Sequence, residues 1–156
     1  MTLRAVVGLG SNLGDRLATM RAAVRELRRV ARVETTSRVY ATAPIGPPQP
    51  EFLNAAALIT YEGTALSLLG ALLAIEGGLG RVRAERFGPR TIDLDLLWIE
   101  GLAVDGERLT VPHPRLRERA FALVPLLELA PDARDPRTGE RYVAPAGEVR
   151  ATGDLL

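Results

Sequence analysis

Apolar positions along this chain switch between two spacings, and the switches mark its elements. Ala5 to Leu9 is a short apolar run ending at glycine, the pattern of a buried strand. Asn12 and Asp15 then offer caps to a helix whose Leu17, Met20, Val24, Leu27 and Val30 recur three and four apart. Val33 to Thr42 is a second strand. The loop from 43 to 50, with Pro44, Pro47, Pro48 and Pro50, cannot be helix or central strand. Phe52 to Tyr61 is a third strand, and Thr64 opens a helix through Leu68, Leu69, Leu72 and Ile75 that stops near Gly77-Gly78. After a loop from 80 to 89, Arg90 to Ile99 is a fourth strand. Asp105-Gly106 marks a turn, Leu109 to Val111 is extended, Arg119 to Ala130 is helical, and Asp135 to Gly139 is a turn. The remaining tail is weakly patterned. Strand–helix–strand–strand–helix–strand is the order of a ferredoxin-like α+β sandwich with a mainly antiparallel sheet and extra C-terminal elements. With no repeat and no low-complexity linker, residues 1–156 are expected to form one domain.

Composition narrows the chemistry. The chain has no cysteine, no lysine and one histidine, and its 20 basic residues are all arginine. Disulfides, thiolate catalysis, Schiff bases, a Walker-type phosphate loop and His-rich metal sites are thereby excluded. Carboxylate, guanidinium, hydroxyl and backbone remain. A net charge of +1 gives no field for nucleic acid. The start lacks a signal peptide's pattern and no membrane-length apolar run occurs, so no membrane partner is expected and the cytoplasm is the expected location.

Charge is nonetheless clustered. Residues 39–80 carry no base, and then Arg81, Arg83, Arg86 and Arg90 crowd into ten positions directly before Asp93 and Asp95. Side chains alternate along a strand, so the two Asp share one face, their roots about 6.5–7 Å apart, while Ile92, Leu94 and Leu96 take the other. Such a pair suits Mg²⁺, which accepts a couple of carboxylates and completes its shell with water and phosphate oxygens. An isolated pair of acids more often just solvates a strand face; the adjoining arginines shift the balance, since guanidinium forks grip phosphate. Gly8-Leu9-Gly10-Ser11-Asn12-Leu13-Gly14 misses the dinucleotide fingerprint by one residue and is read as a tight strand-to-helix turn. Phe52 and Phe121 are candidates to sandwich a flat heterocycle, with Asn54 on the Phe52 face to read its edge, although core packing is the commoner use of Phe. His113, between two prolines, is either a phosphate donor or merely exposed.

Taken in order, Gly10-Ser11-Asn12-Leu13, Gly46-Pro47, Phe52-Leu53-Asn54-Ala55-Ala56, Gly80-Arg81-Val82-Arg83, the Arg86–Leu97 run with its Gly-Pro-Arg-x-x-Asp-Leu-Asp core, Leu109-Thr110-Val111-Pro112-His113 and Arg119-Ala120-Phe121 resemble the 6-hydroxymethyl-7,8-dihydropterin pyrophosphokinases of folate biosynthesis over nearly the whole chain. The resemblance implies a ferredoxin-like α/β/α sandwich. It implies transfer of the β,γ-diphosphate of ATP to the pterin hydroxymethyl oxygen, with release of AMP. It places Asp93 and Asp95 as ligands of two Mg²⁺ ions, with Arg81 and Arg90 as catalytic partners. Phe52 and Phe121 become the pterin sandwich, and Asn54 with the backbone of Thr42, Ala43 and Ile45 reads the ring edge. Glu76, Arg81, Arg83, Phe87, Arg90, Leu96, Arg108, Thr110, His113, Pro114 and Arg119 fall at ATP positions. The chain departs from the commoner pattern in an arginine loop one residue shorter and free of lysine, in Phe87 for Trp, Phe52 and Pro114 for Tyr, Ala43 for Pro and Ala120 for Gly. The loops 43–50 and 80–89 are expected to act as lids.

Two other classes compete on the residues alone. An RNA-reading module needs sheet-face aromatics and a basic face, which this sequence lacks. A small-molecule regulatory domain has no use for an Asp pair beside an arginine cluster. An ordinary γ-phosphoryl kinase differs in its product, ADP in place of AMP. A monomer is expected.

Overall fold

The computed structural model describes residues 1–42, 50–80, 92–147 and 149–156. Among the described residues, eight strands and three α-helices follow in the order β1 (Thr2–Ser11), α1 (Arg16–Val30), β2 (Arg32–Thr36), β3 (Arg38–Thr42), β4 (Phe52–Glu62), α2 (Ala65–Gly78), β5 (Asp93–Ile99), β6 (Val104–Asp105), β7 (Thr110–Val111), α3 (Ala120–Leu129) and β8 (Arg150–Asp154). The main sheet runs β5-β1-β4-β3-β8, with β2 also on β4, and every pairing in it is antiparallel. This is the ferredoxin-like arrangement that the element order predicts, with α3 and β8 as the C-terminal additions. The lids expected at 43–50 and 80–89 fall almost wholly outside the described residues.

Local signals set the helix starts. Asp15 caps α1 by accepting from Ala18 N–H at 3.1 Å, and Thr64 and Ser67 cap α2 reciprocally. Alternation along the strands then builds two cores. Leu3, Val7 and Leu9 of β1 face α1 and α2, joining Met20, Leu27, Leu68 and Leu72. Val6, Ala56, Leu58 and Trp98 face α3, against Leu123 and Leu126. One sheet between helices on both faces is an α/β/α sandwich.

Two elements differ from the sequence expectation. The single strand read over Val33 to Thr42 is two, divided at Ser37. There the backbone N–H donates to Ala56 O at 2.9 Å, while the hydroxyl accepts from Ala56 N–H at 2.8 Å and donates to Arg38 O at 2.7 Å. The serine side chain thus replaces a ladder bond, which is why the break costs little. The tail forms β8 on β3 and buries Leu155, whose carbonyl accepts from Arg21 Nε at 2.7 Å. Every β8 residue is exposed, so no hydrophobic alternation announces that strand.

Candidate active site

Residues opposite one another in the sheet define the site. Asp93 pairs with Gly10, Gly10 with Asn54, and Asn54 with Tyr40, giving one row across β5, β1, β4 and β3. Asp95 pairs with Gly8 in the next row. All these positions lie on the α3 face, because Leu94 and Leu96 turn into the opposite core. A bulge completes the switch. Val6 pairs with Trp98 and Val7 with Leu96, so Leu97 is the extra residue and both Leu97 and Trp98 enter the α3-side core. Asp95 is exposed and Asp93 half-buried.

Glycine keeps the middle of the row open. A Cβ on Gly10 would stand 3.1 Å from Asn54 Oδ1. Asn54, only 8 % exposed, donates from Nδ2 to Thr42 Oγ1 at 2.8 Å, leaving Oδ1 over Gly10. Phe52 lies opposite Thr42 on the same face, half-buried, and Phe121, in the first turn of α3, packs against the α3-side core. Thr42, Phe52, Asn54 and Phe121 are therefore gathered on one side of the sheet. Asn12 is fully buried and donates from Nδ2 to Pro50 O at 3.2 Å, tying the first turn to the start of β4.

Among the described residues, the predicted nucleotide positions Glu76 and Leu96 lie at β5, the last strand at one end of the main sheet. Glu76 is 4 % exposed, and its Oε2 accepts from Leu94 N–H at 2.7 Å, a donor that the edge strand turns outward. The Leu96 side chain is buried in the α1/α2 core, so only its backbone is open to a ligand. Thr110 lies on β7, Arg108 is exposed before it, and His113 and Pro114 are exposed after it. His113 Nδ1 accepts from Arg115 N–H at 3.0 Å, which puts the imidazole proton on Nε2 and leaves that N–H as the outward donor. Partial desolvation of the ring, followed by the positive charges of Arg119 and Arg115, lowers the His113 pKa below its usual value and so favours the neutral imidazole. Ala43, Ile45, Arg81, Arg83, Phe87 and Arg90 lie outside the described residues.

Three residues with structural roles at the site escaped the sequence reading. The Tyr40 hydroxyl donates to Glu128 Oε1 of α3, and Arg38 Nε reaches the same carboxylate at 3.3 Å. This ties the helix bearing Phe121 to the strand bearing Thr42. Tyr40 stands two positions before Thr42, the spacing that puts both on one face, and that was the available signal.

Among the described residues no group of three or more His, Cys, Asp or Glu side chains could hold a metal ion. Two hard carboxylates on one strand face, the outer one exposed, instead suit Mg²⁺, which shares its shell with water and phosphate oxygens. The donor set therefore fits that ion.

The fold and the row define the class as an antiparallel α+β sandwich that carries a carboxylate pair, an amide and two phenylalanine rings on the α3 side of its sheet. The family model of 7,8-dihydro-6-hydroxymethylpterin-pyrophosphokinase matches residues 6–131, and the chain belongs to that family. It is 51 % identical over 132 residues to the 2-amino-4-hydroxy-6-hydroxymethyldihydropteridine pyrophosphokinase of Methylorubrum extorquens, covering 83 % of this chain and 84 % of that one. The enzyme of the same name from a Synechocystis strain is 43 % identical over 150 residues, covering 95 % of this chain and 77 % of the relative. The fold matches that of a crystallised HPPK-DHPS in complex with substrates at a TM-score of 0.72 and 12 % identity, over 90 % of this chain and 42 % of that one. The wild-type Plasmodium falciparum HPPK-DHPS gives a TM-score of 0.71 at 14 % identity, over 91 % and 44 %. The chain spans under half of those structures, and they speak to its fold. Family and relatives together make it an ATP-dependent pyrophosphokinase of folate biosynthesis. No helix among the described residues is long and apolar enough to cross a membrane.

Proposed function

We propose that residues 1–156 form one catalytic domain, monomeric and cytoplasmic, that moves the β,γ-diphosphate of ATP onto the hydroxymethyl oxygen of 6-hydroxymethyl-7,8-dihydropterin. The products are AMP and the pterin diphosphate. The observation that carries the assignment of roles is the row Asp93–Gly10–Asn54. Two strand spacings separate its ends by about 10 Å, a span that a fused two-ring heterocycle with a one-carbon arm bridges. Asn54 reads the amino-pyrimidine edge through Oδ1, with Thr42, Ala43 and Ile45 beside it. Phe52 and Phe121 stack on the ring faces, each stack worth about 0.5–1.5 kcal/mol. The hydroxymethyl arm then points toward the Asp pair.

Asp93 and Asp95 hold two Mg²⁺ ions in this reading. Magnesium bound there supplies positive charge to the triphosphate and to the oxygen on which AMP departs. The hydroxymethyl oxygen attacks the β-phosphorus in line and the bond to the α-phosphate oxygen breaks. Asp95, the more exposed carboxylate, takes the hydroxyl proton. Arg81 and Arg90 stabilise charge on the bridging oxygen, and Glu76, Arg83, Phe87, Leu96, Arg108, Thr110, His113, Pro114 and Arg119 hold the nucleotide. Preorganisation lowers the entropic part of the barrier.

Replacement of Asp95 by Ala tests this reading. Turnover is expected to fall by orders of magnitude while pterin affinity changes little, and AMP is expected as the nucleotide product of the parent enzyme. A near-normal rate in Asp95→Ala, or ADP as product, would overturn it.

A further inference from the structure

Arg137 lies well beyond β5 and β7 in sequence, in the turn Asp135-Pro136-Arg137-Thr138-Gly139. The turn is rigid by construction. Asp135 O accepts from Gly139 N–H at 2.7 Å, Asp135 Oδ1 accepts from Arg137 N–H at 2.8 Å, and Gly139 takes the left-handed conformation at φ +76. It is also fastened to the sheet, since buried Trp98 of β5 donates from Nε1 to Arg134 O at 2.8 Å. Trp98 is three positions beyond Asp95 on the same strand.

From that pedestal one guanidinium grips the β6–β7 hairpin. Nη1 donates to Pro112 O at 2.8 Å and Nη2 to Val111 O at 3.2 Å, with a longer reach to Val104 O at 3.4 Å. Nη2 also pairs with Asp105 Oδ1 at 2.8 Å, and the Arg137 side chain is only 27 % exposed. An ordinary surface ion pair spends its arginine on one acid and contributes little. Here, besides Asp105, the guanidinium also reaches two successive backbone carbonyls of the segment that carries Thr110 and His113. Immediately downstream that segment is fixed again, because His113 O accepts from Leu116 N–H at 3.0 Å and His113 Nδ1 from Arg115 N–H at 3.0 Å.

We infer that Arg137 is a positioning residue for the nucleotide: its fork holds the Val111–Pro112 carbonyls so that His113 keeps the Nε2–H tautomer and aims that donor outward. The inference rests on the reading of Thr110 and His113 as nucleotide contacts. A lysine cannot do the same work, because a single ammonium does not reach two successive carbonyls and Asp105 in one plane.

The test uses the full chain, Arg137→Gln, Arg137→Lys, and the imidazole ¹⁵N signals, which are unambiguous because the chain has one histidine. In the parent enzyme these signals report the Nε2–H tautomer and move when Mg²⁺ with α,β-methylene ATP is added. In both variants the two nitrogens are expected to average toward a tautomer mixture and the nucleotide Kd to rise about tenfold, with pterin affinity unchanged. Parent-like imidazole signals in the variants overturn the inference, as does an altered imidazole with an unaltered nucleotide Kd. A lowered melting temperature as the sole change also overturns it, since that is all a structural arginine would give. If the parent's imidazole ignores nucleotide, the reading of His113 itself has failed, and the variant spectra in free protein show separately whether the clamp exists.

Discussion

Asn54 Nδ2 donates to Thr42 Oγ1 across 2.8 Å, and this bond decides which end of the amide faces the recess. With the donor occupied, Oδ1 stays over Gly10, where a Cβ would approach it to 3.1 Å. Gly10→Ala is therefore expected to push the amide out of register and weaken pterin binding about tenfold, the scale of one hydrogen bond. Nucleotide affinity should be unaffected. Calorimetric titration of each ligand checks this, and unchanged pterin affinity would show that the amide does not read the ring.

Glu76 has a structural duty as well as its proposed nucleotide role. Its carboxylate accepts the outward N–H of Leu94 at 2.7 Å in a setting only 4 % exposed. Glu76→Ala strands that donor and should lower stability by about 1–3 kcal/mol, whereas Glu76→Gln retains an acceptor and should lose less. Thermal unfolding of both variants without nucleotide separates this effect from binding.

Glu128 ties α3 to β3 and links stability to acid. Burial pushes its pKa up, but hydrogen bonds from Tyr40 and Arg38 outweigh that and hold it below the ordinary 4.5. A depressed carboxylate contributes stability that is present above 4.5 and is lost as pH falls through the lower folded-state value. Tyr40→Phe or Glu128→Gln should flatten this acid limb. Denaturation midpoints at pH 3 to 6 measure it, and an identical pH profile in both variants would rule the coupling out.

Tyr142 governs the alkaline side. Burial, with the nearby Asp135 adding to it, pushes its phenol from 10.0 up to about 12. The unfolded chain ionises first, so the stability linked to this group is intact below pH 10 and is lost as pH rises toward 12. Its hydroxyl is buried without a hydrogen-bond partner, so Tyr142→Phe should change stability at pH 7 little and remove this part of the alkaline loss. Phenolate absorbance and melting temperature, followed together from pH 9 to 12, test both statements.

Hydrophobic spacing and end signals were enough to read most of the fold. Asp15 and Thr64 start the helices where the caps predict, and the α3 helix lies where its apolar run is densest. The break at Ser37 was hidden because a serine hydroxyl mimics a backbone partner and leaves the β-rich pattern on either side intact. β8 was hidden because an exposed edge strand has no buried face to imprint on its sequence. The shared face of Asp93 and Asp95 was legible because strand alternation alone puts the two on one side of the sheet.

The sequence by itself therefore determined the alternation of strands and helices through β5, apart from the break at Ser37, together with the family and the shared face of Asp93 and Asp95, all of which follow from local periodicity and short motifs. Only the tertiary structure decided register: that Asp93, Gly10 and Asn54 form one row, that Glu76 meets the edge of β5, and that Arg137 reaches Val111 and Pro112. Those relations join residues 18 to 83 positions apart. Their partners are backbone groups as often as side chains, and any residue type supplies a carbonyl or an N–H, so the pairing leaves no mark in the sequence.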